Sequence, residues 1–404
     1  MGIDGVRATA RRRLRVLVTR TWGVGGGQVW AHEFSSRLAR LGHDVQVIFL
    51  RSWWPRMRAR VKLEVDGDAE ARCRHAVLDA PLFLEGFWLA RFLPRYARQS
   101  PVDVIVSTGG EAAWLDKVRI HGAPPHVASF HHTYPDWQGL PGLLAGTIHL
   151  TRRGIAQTYS RWCEHLDAAS MKHAQQVVCS SRYQAARARN LFGLPESKLK
   201  VIYYGVDTRD LSPCLASGNH RPPVILFAGG LQPSKGLDVL LDALTRVRTE
   251  FPEAKLVILG GGDWASYRNK IKTLGLEDRV IYSGRVPRTE MVKFYRNAYL
   301  LAAPTQHESF GLVLAEAMAC GVSVVATRVA SVPEIVEDGV TGFLVPWDDS
   351  RALAGALEAL LGDPGRARAM GGAGRARVER RFDWDTIIRQ WEDLLYEVVE
   401  RRAA

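Results

Sequence analysis

Short β-branched runs alternate with apolar segments of helical period along nearly the whole chain. Leu14–Thr19 (LRVLVT) reads as a buried strand, Gln28–Leu41 as a helix ended by Gly42, and Asp44–Leu50 as the next strand. Val102–Ser107, Val127–Phe130, Gln176–Ser180 and Lys200–Tyr204 read as further strands, with a helix over Ser181–Phe192. The pattern breaks at Gly205–Pro223, which is rich in Gly, Pro, Ser and Asn and has no period. It restarts with strand Val224–Ala228, helix Leu237–Thr249, strands Lys255–Leu259 and Val280–Ser283, helix Thr289–Asn297 and strand Tyr299–Ala303. An apolar helix through Leu312–Met318 is stopped by Gly321 and followed by strand Val322–Thr327. Val332–Glu337 and Gly342–Val345 are expected to complete the sheet, and two basic helices and Trp384–Glu400 close the chain. This alternation predicts an α/β protein of two doubly wound, Rossmann-like domains with a ligand cleft between them. The expected division is 1–205, a linker at 206–223, 224–382, and a terminal segment at 383–404.

Composition agrees with that division and narrows the chemistry. A chain of 404 residues, 47% apolar and 24% charged, is long for one core. The five cysteines (Cys73, Cys163, Cys179, Cys214, Cys320) are scattered without a CxxC, so neither a zinc site nor a disulfide framework is indicated, and a reducing compartment fits. The apolar run behind Arg11–Arg13 is too short for a signal sequence, and no run reaches membrane-spanning length. Charge is uneven. Residues 1–205 hold 29 Lys/Arg against 16 Asp/Glu, a net of +13, while the remaining 25 against 26 give −1. An acidic partner for the first half follows: an anionic lipid surface, a phosphate-bearing acceptor or nucleic acid. Arg51–Arg60 (RSWWPRMRAR) and Phe83–Arg98 mix arginines with aromatic and apolar residues, as an interfacial membrane contact does. A partly buried helix with a solvated basic face reads the same way. No nucleic-acid-binding motif accompanies these segments.

The densest candidate chemistry lies in Gln306–Thr327 (QHESFGLVLAEAMACGVSVVAT). A polar loop carries Glu308, and a second acid, Glu316, sits inside the apolar helix pattern. Eight residues of helix span about 12 Å, too far for the acid–nucleophile dyad of a retaining glycosidase at about 5 Å. Two separated acceptors at a helix N-terminus instead suit a long ligand with hydroxyls at both ends and a phosphate between. Backbone N–H groups near Phe310, Gly311 and Leu312 would meet that phosphate. Glu308 alone reads equally well as a charge favoured at a helix N-terminus. The glycine run Gly23–Gly27 lies between a strand and a helix, where α/β folds bind ligands, but is neither a dinucleotide fingerprint nor a Walker sequence. His131 and His132 follow a strand in HHTYPDW; no third ligand at metal spacing is visible, and surface-loop histidines are the plain alternative.

Together these residues resemble the retaining GT4 glycosyltransferases of GT-B architecture. The resemblance covers nearly the whole chain and is strongest from Val224 to Trp347. It rests on Glu308 and Glu316 with seven residues between, on Gly229–Gly236 (GGLQPSKG), on Val332–Val336 (VPEIV) and on Gly339–Pro346 (GVTGFLVP). Ser180–Ser181, Gly205–Asp207 and the Gly25–Gly26 loop also fit. The resemblance implies a nucleotide-diphosphate sugar, UDP- or GDP-linked, as donor. Lys235 would hold its diphosphate, Glu316 the ribose hydroxyls and Glu308 a sugar hydroxyl. Phe310, Gly311 and Leu312 would offer backbone N–H groups, Gly25 and Gly26 would close over the diphosphate, and His131 would lie near the reacting carbon. It implies further a C-terminal helix that crosses back to the first domain. With no DxD-type cluster in a suitable loop, no metal and no cofactor are expected. The acceptor is expected to be lipid-linked, phosphorylated or a cell-envelope glycan, at the cytoplasmic face of the membrane, without nucleic acid. A catalytically idle binding subunit and a nucleotide-sugar epimerase are the competing readings. One departure stands out: Gly230 occupies a place where the family carries Arg, and Arg285 is a candidate replacement.

Overall fold

The computed structural model describes residues 11–21, 26–52, 60–62, 73–80, 100–109, 112–113, 124–131, 164–213 and 222–403. They build two sheets. The first contains β1 (Arg15–Thr21), β2 (Asp44–Ser52), β3 (Arg60–Lys62), β4 (Cys73–Ala80), β5 (Val104–Ser107), β6 (His126–Phe130), β7 (Gln176–Cys179) and β8 (Leu199–Val201), in the order β3-β4-β2-β1-β5-β6-β7-β8. All its pairings are parallel except β3 with β4. The second contains β9 (Val224–Ala228), β10 (Lys255–Leu259), β11 (Val280–Gly284), β12 (Leu300–Ala303), β13 (Ser323–Thr327) and β14 (Gly342–Val345), in the order β11-β10-β9-β12-β13-β14, all parallel. Strands β5, β6, β7 and β13 are buried along their whole length, which is why they read as unbroken apolar runs.

Helices join the strands: α1 (Gly26–Arg40), α2 (164–173), α3 (Arg182–Phe192), α4 (Leu237–Glu250), α5 (Trp264–Thr273), α6 (Arg288–Asn297), α7 (Leu312–Ala319), α8 (Val332–Ile335), α9 (Ser350–Leu361), α10 (Pro364–Arg381) and α11 (Trp384–Ala403). Their ends follow local chemistry. The Ser181 hydroxyl accepts from the Gln184 N–H at the start of α3, and Gly193 ends it in the left-handed region. Asp263, Asp349 and Asp363 cap α5, α9 and α10 in the same way.

Two chain crossings connect the sheets, and they pair with each other. The Val206 N–H donates to Phe382 O at 2.7 Å, and the Trp384 N–H to Val206 O at 3.2 Å. Gly205 is needed there because a Cβ would lie 2.2 Å from the Trp384 ring. Beyond this crossing α11 returns to the first sheet's layer, as expected. Trp391 packs 5.2 Å from Trp30 and 4.9 Å from Phe34 of α1. The Tyr396 hydroxyl donates to Arg12 O at 2.7 Å, and His43 meets Glu392 at 2.9 Å.

Several expectations need correction. Val332–Glu337 is not a strand: Val332–Ile335 forms a helical turn, because Pro333 in its first turn has the φ of a helix start and no N–H to lose. Helix α1 begins at Gly26, so that glycine belongs to the helix and not to a preceding loop. Of the two helices expected to be basic, only α10 is; α9 buries Leu353, Leu357, Leu360 and Leu361. Strand β4 was not anticipated, because CRHAVLDA mixes charge with apolar residues, and neither was α5. The basic aromatic segments at 53–59 and 83–98 lie outside the described residues. Among the described residues no helix is long and apolar enough to cross a membrane.

Candidate active site

Strand order reverses at β1/β5 in the first sheet and at β9/β12 in the second. At such points loops diverge to opposite faces and leave a crevice at the carboxyl ends of the strands, where doubly wound folds take their ligands.

Around the second reversal point the loops after β9, β10 and β12 are packed backbone to backbone. The Leu231 N–H donates to Gly261 O at 2.9 Å, and the Gln306 N–H to Ser234 O at 2.7 Å. Two glycines make this possible. A Cβ on Gly236 (φ +73°) would lie 1.9 Å from Pro304 O, and one on Gly260 (φ +141°) would lie 1.7 Å from Gly229 O. The tight turn Pro233–Lys235 ends on Lys235. Its ammonium meets Glu308 Oε2 at 2.9 Å, with both side chains partly exposed. The buried Ser331 hydroxyl bonds Glu308 O at 2.8 Å and Phe310 O at 3.0 Å, fixing the loop behind the acid.

Gly311 (φ +104°) caps α7 and has no side chain to satisfy its first turn. The helix starts at Leu312, so only the second half of the Glu308–Glu316 interval is helical. Glu316 is buried, and both of its oxygens are engaged: Arg288 lies 3.1 Å from Oε1, and the Tyr295 hydroxyl donates to Oε2 at 2.8 Å. Burial pushes its carboxyl above the usual range, against the pull of Arg288 and the Tyr295 bond. Glu33, from α1 in the other sheet's layer, adds a smaller like-charge push across the cleft between the sheets.

Across that cleft His131 sits just past β6, buried, its Nδ1 bonded to the Tyr204 hydroxyl and its ring 4.6 Å from Trp30. Gly26 opens α1; Gly25 and His132 lie outside the described residues. Phe310 is 1% exposed, with its ring 5.3 Å from Tyr204 and 5.6 Å from Phe382. Its side chain is therefore a wedge between the two layers, and only its backbone is left for a ligand. Arg285 rests on Gly261, its Nε 2.3 Å from where a Cβ would stand, and the Gln232 side chain fills the space beside Gly230.

One cross-sheet contact had no warning in the spacing of charges. Glu334 Oε2 accepts from the Arg182 N–H at 2.8 Å and from the Tyr203 hydroxyl at 3.1 Å, and Oε1 accepts from the Tyr183 N–H at 2.9 Å. An acid from the second sheet's layer thus caps α3 in the first. The Ser181 hydroxyl also donates to Ser309 O at 3.0 Å, tying the same helix start to the residue after Glu308. Tyr204, Arg288 and Tyr295 were likewise missed. Arg288 and Tyr295 are seven apart on α6 and converge on Glu316 only in three dimensions.

The geometry defines a GT-B protein with its crevice lined by both layers. Two family models match, "Glycosyltransferase Family 4" over residues 24–210 and "Glycosyl transferases group 1" over residues 216–377. A D-inositol 3-phosphate glycosyltransferase of Segniliparus rotundus is 35% identical over 388 residues, covering 90% of this chain and 83% of that protein. The chain belongs to the GT4 glycosyltransferases. It is also 36% identical to a D-inositol 3-phosphate glycosyltransferase of Xylanimonas cellulosilytica over 56% of this chain and 58% of the relative. A GDP-mannose-dependent alpha-(1-6)-phosphatidylinositol monomannoside mannosyltransferase of Mycolicibacterium smegmatis is 34% identical over 57% and 64%. The match thus spans under two thirds of these two relatives' length. In fold the chain is similar to sucrose-phosphate synthase from Thermosynechococcus elongatus (TM-score 0.76, 21% identity, 96% of this chain and 100% of that one). It is also similar to Anabaena HepE, solved with UDP and glucose (TM-score 0.70, 21% identity, 95% and 100%).

Proposed function

We propose that this protein is a retaining, metal-independent glycosyltransferase that moves a sugar from a UDP- or GDP-sugar to a phosphorylated or lipid-linked acceptor. The observation that carries the reading is the Lys235–Glu308 pair, 2.9 Å apart at the β9/β12 reversal point and held by loops that meet backbone to backbone. The hard part of the reaction is the departure of a diphosphate that gains charge. An ammonium and helix N–H groups aimed at that charge stabilise the transition state without a metal. Lys235 would shift from Glu308 to the diphosphate, freeing Glu308 to accept a sugar hydroxyl. The first-turn N–H groups after Gly311 would take a phosphate or sugar oxygen. Glu316, oriented by Arg288 and Tyr295, would accept the ribose hydroxyls. Gly25 and Gly26, the second of which opens α1, would approach the diphosphate from the first layer, and His131 would stand near the reacting carbon. The acceptor would contact the first layer, whose sequence carries the +13 excess. Two relatives lend support, since their names include an inositol phosphate and a phosphatidylinositol mannoside.

Release of nucleoside diphosphate from a panel of nucleotide sugars, with Glu316→Ala as the control, tests the reading. One donor should turn over and the variant should not; no turnover of any donor with any phosphorylated or lipid-linked acceptor would sink it. EDTA should leave the rate intact. Flotation with anionic liposomes tests the membrane-facing acceptor, with binding expected to fall when Arg51, Arg56, Arg58 and Arg60 are replaced.

A further inference from the structure

Tyr204 lies three residues beyond β8 and is buried between the two layers. Its ring stands 5.5 Å from His131 on one side and 5.3 Å from Phe310 on the other. Its hydroxyl bonds Nδ1 of His131. The phenol stays protonated: burial disfavours the phenolate and the negative charge of Glu308 disfavours it further, against a smaller opposing pull from the Ser180 hydroxyl beside it. It therefore has a proton to donate. An imidazole nitrogen accepts only when its proton is on the other nitrogen. A charged imidazolium would have to point Nδ1–H at the phenol oxygen, and would do so while buried against Trp30.

We propose that Tyr204 is the positioning residue for His131: its O–H donates to Nδ1 and keeps the imidazole neutral, with its proton on Nε2. The inference rests on the reading of His131 at the reacting end of the donor. His131 then serves as a hydrogen-bond donor to an acceptor oxygen of the nucleotide sugar, a sugar hydroxyl or a phosphate oxygen. It is not a general base, because the nitrogen that would take a proton already carries one. Phe310 brings the second layer onto the same phenol, so the tautomer is set where the layers meet.

Two-bond 1H–15N spectra of imidazole-labelled protein read the tautomer directly, with His131→Gln identifying its signal among the 12 histidines. Near neutral pH, wild type should show Nδ1 unprotonated and Nε2 protonated. Tyr204→Phe should shift His131 to a tautomer mixture or to imidazolium. Release of UDP or GDP from UDP-glucose or GDP-mannose should then fall roughly tenfold in kcat with little change in KM, as expected for one lost hydrogen bond. A protonated Nδ1 in wild type overturns the proposal, as does a Tyr204→Phe protein with unchanged tautomer and kcat. If Tyr204→Phe does not fold, the wild-type spectrum decides alone. His131→Gln with wild-type turnover would remove His131 from the reacting end without altering the tautomer result, so the two readings fail separately.

Discussion

The two reversal points are built from different material. At β9/β12 the loops touch main chain to main chain, glycines forbid any side chain between them, and a lysine and a carboxylate face each other at 2.9 Å. At β1/β5 the layer behind the crevice is aromatic: Trp30 stacks on Phe34 at 4.7 Å and tilts against His131 at 4.6 Å, with Trp391 closing over both. The cation Arg37, in the last turn of α1, is spent within the structure, on Glu33 at 3.2 Å and on Asp207. A backbone cradle with fixed charges suits a ligand part that never varies, such as a diphosphate. An aromatic wall suits orientation of one histidine and leaves the neighbouring loops free to differ among acceptors.

Substitutions on the two sides should therefore fail in different ways. Lys235→Ala is expected to have the largest effect, lowering kcat roughly 10²- to 10³-fold, about 3–4 kcal/mol of transition-state stabilisation. Arg37→Ala should lower stability and leave the chemistry within severalfold; equal kinetic losses would erase the contrast. Gly260→Ala forces a Cβ into Gly229 O and should destabilise the second layer by about 3 kcal/mol, read as a lower denaturation midpoint with the first layer's signal unchanged. Glu334→Ala removes an acceptor from two N–H groups and a hydroxyl that join the layers. A cost of about 1–2 kcal/mol and a larger radius of gyration in solution scattering are expected; unchanged scattering would mean that Glu334 does not hold the layers together.

The smallest effect is in pH. The Glu316 carboxyl is raised above its ordinary value of 4.5 in the folded protein, chiefly by burial. Below 4.5 it is protonated in both states and has no effect. As pH rises through the window up to its folded value the unfolded chain ionises first, so stability is lost and the cost stays constant above. Glu316→Gln should thus gain in melting temperature relative to wild type as pH climbs through that window. A difference that does not vary with pH would show that burial does not dominate at this carboxyl.

Strands whose interior is buried on both faces were legible because they leave an apolar run, as at Val224–Ala228, whose limits match the observed β9. The strands that escaped notice lie at the first sheet's edge, where β4 mixes Arg74, His75 and Asp79 with apolar residues. Val332–Glu337 misled because a β-branched apolar segment was weighed above the proline in its first turn. In the site, Glu308 could be singled out from its own polar loop, and Lys235 only through the GGLQPSKG stretch that carries the family resemblance. Glu334 was visible as part of a motif, but its partners are the start of α3 and Tyr203, about 130–150 residues upstream. Tyr295 and Arg288 gave no signal: on α6 they read as an ordinary core tyrosine and an exposed cation, and only the fold turns both toward Glu316.

The central claim is that Lys235 grips the diphosphate of the donor. Calorimetric titration of UDP and GDP, each beside its parent nucleoside, into wild type and Lys235→Ala tests it most directly. One diphosphate should bind wild type far more tightly than its nucleoside, and that advantage should collapse at least tenfold in the variant, with nucleoside affinity unchanged. An equal diphosphate advantage in both proteins would contradict the account.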